Sequence, residues 1–384
     1  MDAEQLTKVV RERLGRRVAS IEEIEAGMGT RRFHRLQFAD GEPRTLIARS
    51  EPGSQAASTA TAPTRSNGLA SPRSELPSAP AWLAEPPLEP LRSFLESAGL
   101  RVPKSYGHFP ELGLDLLEDV GSRSLLGADL RDRPDLYREA CAFVPRLQAL
   151  TAPGERIPAF ARRYDRALVE TKLWKWLHWT IPGLLERAAT SEEVREASAL
   201  FAGIADLLDA APRRLAHRDF KAENLHLLSR ATGISGSPAH EPAHARPELV
   251  LIDVQGAFMA PPEYDLVCLL YDLQTDLDEA LVARLFAEQL PALPDRPELE
   301  LARLRFDAIA VTRLCKDVSH VIYAGLVRGD RRRWREIPRG LELLGLSAGC
   351  LEHSFPGVES LFSVIHALTT RLESTDIAGE GRAR

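Results

Sequence analysis

The chain has 384 residues, a formal net charge of -6 and 44% hydrophobic residues, which is enough to bury a large core and favours two lobes over one. It contains no long basic stripe, apolar signal core or run of about 18 apolar residues, so we expect no nucleic-acid partner, no membrane partner and a cytoplasmic location. The four cysteines lie far apart and form no C-x-x-C pair, which argues against a disulfide framework and a cysteine zinc site.

The first 50 residues predict one helix followed by short strands. Residues 3–15 have an amphipathic helical pattern, whereas residues 18–50 contain short β-type segments separated by turn signals. Asp40 and Gly41 are typical of a hairpin turn, because glycine adopts a positive φ without steric cost. We therefore expect a β-rich N-terminal lobe.

Residues 52–80 differ in composition from the rest of the chain. They are mainly Pro, Ser, Ala and Thr, with hardly any large apolar residue, so they cannot bury enough surface to offset the entropy of ordering. We interpret them as a disordered insertion in a surface loop, with a linker between independent domains as the alternative. The insertion is favoured because the β segments before it are too few to close a core alone.

The remainder of the chain combines helical patterns with two short apolar strands. Residues 88–99 are helical, and residues 113–121 indicate a strand that runs into a turn. From residue 133 onward, helices are expected at 133–151, 163–189, 191–211, 276–290, 297–328 and 333–345. The strands ENLHLL and ELVLIDV are separated by a Gly- and Pro-rich loop, residues 229–247.

These elements predict an α+β fold with two lobes. A small β-rich lobe spans residues 1–117, a larger helical lobe spans residues 118–350, and residues 351–384 form a C-terminal helix and tail. The connection between the lobes is expected near residues 117–121. Two lobes enclose a cleft, which is a common place for a small-molecule site.

Polar residues are concentrated in the stretch LAHRDFKAENL, residues 215–225. One interpretation is a solvated loop between two buried elements, and the other is a site for a metal and a phosphate. The apolar strand LVLID then ends in Asp253, and a buried carboxylate needs a partner such as a divalent cation. Because Mg²⁺ is typically held by one or two oxygen side chains plus substrate phosphates, Asn224 and Asp253 are candidate ligands. Asp219 would then be able to accept a proton from an incoming hydroxyl.

H-R-D-F-K-A-E-N resembles the protein-kinase catalytic loop H-R-D-x-x-x-x-N, and I-D-V-Q-G resembles the metal-binding Asp segment of that superfamily. The continuation AFMAPPEYDLVCLLYD is instead similar to the aminoglycoside phosphotransferase and choline kinase branch, where a strand Asp precedes a Pro turn and a Tyr-Asp-Leu helix start. Within that branch, the chain most resembles the bacterial anomeric N-acetylmuramate and N-acetylglucosamine kinases of cell-wall recycling. The resemblance covers most of residues 20–346.

This resemblance implies a two-lobed, protein-kinase-like fold that uses ATP and Mg²⁺ to phosphorylate a small-molecule sugar. It implies Asp219 as the catalytic base and Asn224 and Asp253 as Mg²⁺ ligands. Asp265 would cap the helix that follows it and help to hold the catalytic loop. Lys221 would contact the γ-phosphate if it acts as the equivalent lysine of protein kinases does, but its role is open. We expect a monomer or a weak dimer.

The resemblance also implies nucleotide-binding residues in the N-terminal lobe. Gly27 and Gly29 in GMGTRRFHRL resemble a nucleotide-covering loop, in which glycines let the backbone approach phosphate. The next strand, TLIARSEP, has Arg49 where the family has a phosphate-binding lysine. An arginine is always charged and can hold phosphate through two hydrogen bonds. Glu85 and Glu89 are the candidates for its acidic partner.

Several other residues have open roles. Glu118 is expected at the connection between the lobes, where backbone groups would meet adenine. Lys316 and Asp317 lie in an apolar helix, so they either reach its surface or face the cleft. Four aromatic residues could stack on a sugar, although core packing is expected for at least two of them: Trp174, Trp176, Trp179 and Tyr164.

Three functions are compatible with these features. The leading hypothesis is phosphorylation of an amino sugar with ATP and Mg²⁺. A second is phosphorylation of an aminoglycoside or choline, which are cations and would need a markedly acidic pocket. A third is a degenerate kinase fold that serves as a binding module, which the missing lysine favours. The presence of Asp219, Asn224 and Asp253 argues against the third.

Overall fold

The computed structural model describes residues 1–24, 31–51, 85–153, 157–228 and 247–374. These residues group into two compact units, each built from separate stretches of the chain. Unit 1 contains residues 1–24, 31–51, 92–124, 225–228 and 247–252, and unit 2 contains residues 85–91, 125–153, 157–224 and 253–374. The lobe boundaries expected from the sequence remain a prediction. Gly27, Gly29, the insertion at 52–80 and nearly all of the loop at 229–247 lie outside the described residues.

The largest element of unit 1 is an antiparallel sheet of five strands in the order β1-β2-β3-β5-β4. They are β1 (Val18–Ile24), β2 (Arg32–Phe38), β3 (Thr45–Ser50), β4 (Ser105–Phe109) and β5 (Leu114–Glu118). Gly41, with a φ of 71°, lies in the turn between β2 and β3, which confirms the predicted hairpin turn. A separate hairpin, β7 (Leu225–Leu228) with β8 (Glu248–Leu251), also belongs to unit 1.

The first helix, α1 (Ala3–Leu14), packs against one face of the sheet. Asp2 caps its N-terminus, and Gly15 ends it in the left-handed conformation. The helix and the strands share an apolar core: Leu6, Val10, Leu36, Phe38, Leu46, Ala48, Leu114 and Leu116. Because successive side chains of a strand point to opposite faces, Arg49 lies on the face of β3 away from this core.

Unit 2 is mainly helical. The helices that follow α2 (Glu89–Ser97) are α3 (Arg133–Cys141), α4 (Phe143–Gln148), α5 (Arg166–Lys175), α6 (Ile181–Leu185), α7 (Ser191–Asp209), α8 (Tyr264–Leu270), α9 (Glu279–Gln289), α10 (Leu299–Val327), α11 (Ile337–Leu351) and α12 (Val358–Ser374). The strands β6 (Arg214–Ala216) and β9 (Phe258–Ala260) pair among them. The expected helical segments are present, although 133–151 and 163–189 are each divided and the helix expected at 333–345 begins and ends later.

Helix α10 is the centre of unit 2. It packs against α5, α7, α8 and α11, and it is buried along most of its length. A helix that lies inside a core needs apolar residues on most of its sides, and this explains why the sequence of α10 has only a weak polar face. None of the helices in the described ranges is long and apolar enough to cross a membrane.

A π-helical turn, Trp176–Thr180, joins α5 to α6. Three of the four aromatic candidates for sugar stacking lie at or beside this turn, and Tyr164 precedes α5. Each has at most 8% of its surface exposed: Trp174, Trp176, Trp179 and Tyr164. Core packing therefore accounts for all four.

Candidate active site

The loop that carries Asp219 follows β6 and is held by its backbone. The amides of His217 and Arg218 donate hydrogen bonds to the two carboxylate oxygens of Asp265, at 2.7 and 3.1 Å. Asp265 is 2% exposed and lies in the first turn of α8, whose N-cap is Glu263. The prediction that Asp265 helps to hold the loop of Asp219 is therefore confirmed, and the prediction that it caps the helix is wrong.

Arg218 has a left-handed backbone, with a φ of 82°. This conformation costs a non-glycine residue about 1–3 kcal/mol, so surrounding contacts must maintain it. The carbonyl of Arg218 accepts hydrogen bonds from the Cys268 thiol at 3.3 Å and from Nη1 of Arg313 at 3.4 Å. Asp265 holds the amides of His217 and Arg218, and Cys268 and Arg313 hold the carbonyl of Arg218. The backbone just before Asp219 is therefore fixed through both its N–H and its C=O groups.

Asp219 is half-buried and strongly affected by neighbouring charges. Burial raises its pKa, but the positive charges of four neighbours together lower it well below its usual range: Lys221, Lys316, Arg218 and Arg313. The carboxylate is therefore ionised at neutral pH. In this state it can accept a hydrogen bond from a hydroxyl and orient that hydroxyl for attack.

Asn224 is tied directly to the candidate base. Its Nδ2 donates to the backbone carbonyl of Asp219 at 2.8 Å, which also accepts from the amide of Lys221 at 2.8 Å. Asp272 accepts a hydrogen bond from the amide of Ala222 at 3.2 Å and so anchors the other end of the loop. Because Nδ2 of Asn224 is used in this way, its Oδ1 remains the candidate oxygen ligand.

Asp253 follows β8 and has a left-handed backbone, with a φ of 59°. The sequence predicted a buried carboxylate here, but Asp253 is exposed, because β8 ends at Leu251 and Asp253 lies in the turn before the buried residues Val254–Gly256. Oδ1 of Asp253 accepts a hydrogen bond from Nε2 of Gln255. An exposed carboxylate is accessible to a ligand and carries a smaller desolvation cost than a buried one.

The backbone after Asp253 is held by Arg162, which sequence reasoning missed. Nη1 of this buried side chain donates to the carbonyls of Gln255, Gly256 and Ala257, at 3.3, 3.0 and 3.2 Å. Burial lowers the pKa of Arg162, and the nearby charge of Arg218 lowers it further. No local pattern distinguishes Arg162 from a surface arginine, because its partners lie more than 90 residues along the chain.

The donor set fits Mg²⁺. Leu225 pairs with Leu251 in the β7–β8 hairpin, so Asn224 and Asp253 leave it at the same end. Within the described ranges, no three His, Cys, Asp or Glu side chains are grouped so that they could enclose a metal. One amide oxygen and one carboxylate suit an ion that keeps several waters and takes its remaining ligands from substrate phosphates.

Arg49 in unit 1 is buried and paired. Nη1 donates to Asp115 on the neighbouring strand β5 at 2.6 Å, and Nη2 donates to Glu51 at 2.7 Å. The two candidates for its acidic partner, Glu85 and Glu89, were therefore wrong. Glu85 instead lies 3.9 Å from Nη1 of Arg218 in unit 2.

Glu118 ends β5 and is occupied by structural contacts within unit 1. Its two carboxylate oxygens accept from Arg101 at 2.8 and 2.6 Å, and one also accepts from the Lys104 amide at 3.0 Å. Burial raises the pKa of Glu118, and the hydrogen bonds from Arg101 and Lys104 more than offset that effect. A role near adenine remains a prediction for this position.

Charged side chains from α10 lie near the loop that carries Asp219. Nε of Arg313 lies 3.3 Å from Asp317, and Nζ of Lys316 lies 2.5 Å from the same carboxylate. Burial lowers the pKa of Lys221, and the charges of Asp317 and Asp219 raise it by more. Lys316 and Asp317 therefore lie near the loop that carries Asp219, and the expected orientation toward the cleft remains a prediction.

Residues 20–236 match the model of the phosphotransferase enzyme family that includes the aminoglycoside phosphotransferases, and the chain belongs to this family. The chain is therefore a kinase, as the sequence predicted. Its curated relatives include an N-acetylmuramate/N-acetylglucosamine kinase from Pseudomonas putida, 25% identical over 270 residues that cover 67% of this chain and 73% of the relative. A kinase of the same name from Caulobacter vibrioides is 27% identical over 216 residues, which is 54% of each chain.

Solved structures confirm the expected α+β, protein-kinase-like fold. Choline kinase LicA from Streptococcus pneumoniae aligns with a TM-score of 0.55 and 14% identity, over 89% of this chain and 98% of that one. The ADP-bound aminoglycoside phosphotransferase APH(2'')-Ib aligns with a TM-score of 0.51 and 12% identity, over 90% and 97%. At these identities the similarity shows the fold alone.

Proposed function

We propose that this kinase transfers the γ-phosphoryl group of ATP to a hydroxyl of an amino sugar, such as N-acetylmuramate or N-acetylglucosamine, with the anomeric hydroxyl as the first candidate. The observation that carries the proposal is the positive surroundings of Asp219, made by Lys221, Lys316, Arg218 and Arg313. These cations favour a neutral or acidic sugar over a cationic acceptor, although Asp317 and Glu223 pair with Lys316 and Lys221. The names of the two curated relatives support the same acceptors.

We infer the residue roles from the family resemblance, and the geometry of the loop supports them. Asp219 accepts a hydrogen bond from the acceptor hydroxyl and takes its proton during transfer. Asn224 and Asp253 would hold Mg²⁺, which neutralises charge on the β- and γ-phosphates when bound. Asp265 and Arg162 act through the backbone, because they fix the loop of Asp219 and the segment after Asp253.

We also infer nucleotide contacts from residues that the family resemblance implies. Arg49 would contact the phosphates from the sheet face opposite α1 by exchanging its bond to Asp115 or Glu51, with Gly27 and Gly29 covering the phosphates. Lys221 is close enough to Asp219 for their charges to interact, so a γ-phosphate contact is compatible with its position. In a cell this reaction would serve the recycling of cell-wall sugars in the cytoplasm.

Phosphorylation of an aminoglycoside or choline is the second candidate. It rests on solved structures that share 12–14% identity with the chain, which is too little to transfer a substrate. The cations around Asp219 count against it. The binding-module hypothesis is set aside, because the chain belongs to a kinase family and keeps Asp219, Asn224 and Asp253.

An acceptor screen tests the proposal. ADP formation is measured with Mg²⁺-ATP and, in turn, N-acetylmuramate, N-acetylglucosamine, an aminoglycoside and choline. We expect the highest kcat/KM for one of the two sugars. A higher value for either cationic acceptor would overturn the proposal.

The metal assignment has a separate test. Asp253→Ala should abolish Mg²⁺-dependent ATP binding in isothermal titration, because it removes the carboxylate of the proposed pair. Asp276→Ala is the matched control, since Asp276 is an exposed carboxylate of unit 2 outside the proposed site. Mg²⁺-ATP binding that is unchanged in Asp253→Ala would refute the assignment.

A further inference from the structure

Lysine has an uneven distribution in this chain. Six of the 49 basic residues are lysines, and the rest are arginines. Two of the six lie in unit 1, whereas four lie in unit 2 on α5, the catalytic loop and α10: Lys172, Lys175, Lys221 and Lys316. The lysines of unit 2 are therefore grouped near the candidate base in a chain that otherwise uses arginine.

One face of α10 extends this group away from the catalytic loop. Arg313, Lys316 and His320 are separated by three and four residues, so their side chains share one face of the helix. The face begins at the loop, because Arg313 donates to the carbonyl of Arg218. At a rise of 1.5 Å per residue, His320 lies about 10 Å further along the helix axis.

Lys175 joins this face from α5. The Nζ of Lys175 lies 2.9 Å from Nε2 of His320 and 5.5 Å from the centre of the Trp179 ring. The residue immediately precedes the π-helical turn, and such turns are frequent at functional sites. An ammonium group has three donors, so the contact with His320 leaves two for a ligand.

Protein carboxylates balance only part of the positive charge on this face. Asp317 is shared between Arg313 and Lys316, whereas in the described parts of the chain no Asp or Glu lies within ion-pair distance of Lys175. Burial lowers the pKa of Lys175 to about 8, and the charge of Lys316 contributes to this shift. Lys175, Lys316 and His320 are nevertheless only half-buried, so part of each residue is open to solvent.

We propose that Lys175 and Lys316 form an anion-binding subsite that takes the carboxylate of an acidic acceptor sugar. N-acetylmuramate carries such a carboxylate on its lactyl group, and N-acetylglucosamine has none. The subsite would orient the sugar against α10 so that the hydroxyl of the sugar can hydrogen-bond to Asp219. This inference rests on the proposed function, and it predicts that the kinase prefers the acidic sugar of the pair.

The test compares N-acetylmuramate with its methyl ester, which keeps the sugar and the lactyl group but removes the charge. Wild-type kcat/KM should be about 10- to 100-fold higher for the acid, the value of one charge-assisted hydrogen bond. Lys175→Met should lose most of this preference through a higher KM for the acid, and Lys175→Arg should keep it. Lys8→Met, an exposed lysine on α1, is the matched control and should leave the preference unchanged.

Binding of the two compounds to the wild-type kinase, measured by isothermal titration, gives a second readout that does not depend on any variant folding. Equal affinity and equal kcat/KM for the acid and the ester would overturn the subsite, even if both are phosphorylated. A loss that affects both compounds equally in Lys175→Met would also overturn it, because that result indicates a structural role. If the wild-type enzyme phosphorylates neither sugar, the proposed function itself fails.

Discussion

Asp265 offers a direct test of how the catalytic loop is held. Asp265→Ala removes two charge-assisted hydrogen bonds, at 2.7 and 3.1 Å, each worth about 1.5–3 kcal/mol. Part of this loss is offset. Burial of the charged carboxylate is unfavourable, as the raised pKa of Asp265 indicates, and the alanine variant no longer has this cost. We therefore expect a loss of about 3 kcal/mol in the free energy of unfolding, the lower end of the range. Asp265→Asn keeps one acceptor oxygen and should lose about half as much.

The same substitution should lower turnover. Arg218 has a left-handed backbone, so it is expected to relax when Asp265 no longer holds it, and Asp219 would move with it. A displacement of about 1 Å can cost 100-fold in rate, so we expect kcat to fall by about 100-fold.

Urea unfolding and steady-state kinetics measure the two effects on the same variants. Asp278→Ala is the matched control, because this exposed N-cap of α9 also accepts hydrogen bonds from two backbone amides, of Ala280 and Leu281. It should lose about 1 kcal/mol and no activity. If Asp265→Ala lost no more stability and turnover than Asp278→Ala, the reasoning would be refuted.

Three further substitutions test the packing and the charges of unit 2. Arg162→Met removes the donor to three consecutive carbonyls, so kcat should fall at least about tenfold. Arg162→Lys should recover part of this loss. Equal kinetics for the wild type and Arg162→Met would contradict the expectation. Burial raises the pKa of Asp307 to about 6. As pH rises toward and past that value, the buried side chain becomes charged and the folded protein loses stability. Asp307→Asn should therefore raise the free energy of unfolding in urea by up to about 3 kcal/mol at pH 8 and by less at pH 4.5, and a gain independent of pH would show the assignment to be wrong. In Gly325→Ala the new Cβ would lie 1.8 Å from Nε1 of Trp334, so the melting temperature should fall, whereas Gly345→Ala, with no atom within 4 Å, should be neutral or slightly stabilised.

The parts of the site that the sequence predicts are local in the chain. Asp219 and Asn224 are five residues apart, and the structure joins them through one hydrogen bond to the backbone. The helices were also predictable, because their apolar residues recur at helical spacing. The break between α3 and α4 was not, since both sides of it continue the same pattern.

The parts that sequence reasoning missed depend on contacts between distant segments. Asp115 becomes the partner of Arg49 only because β3 pairs with β5, across 66 residues of sequence. The contact between Lys175 and His320 spans 145 residues and requires α5 to pack on α10. The exposure of Asp253 depends on where β8 ends, and strand ends are poorly defined by an apolar run.

The central claim is that Asp219 serves as the base in phosphorylation of an amino sugar, and one measurement tests it most directly. The kcat for N-acetylmuramate with Mg²⁺-ATP is compared between the wild-type kinase and Asp219→Asn, with ATP affinity measured on the same preparations. We predict a fall in kcat of about 10² to 10⁴ with ATP affinity nearly unchanged, because the substitution removes the proton acceptor alone. Turnover within a few-fold of wild type, or a loss of ATP binding that matches the loss of turnover, would contradict the claim.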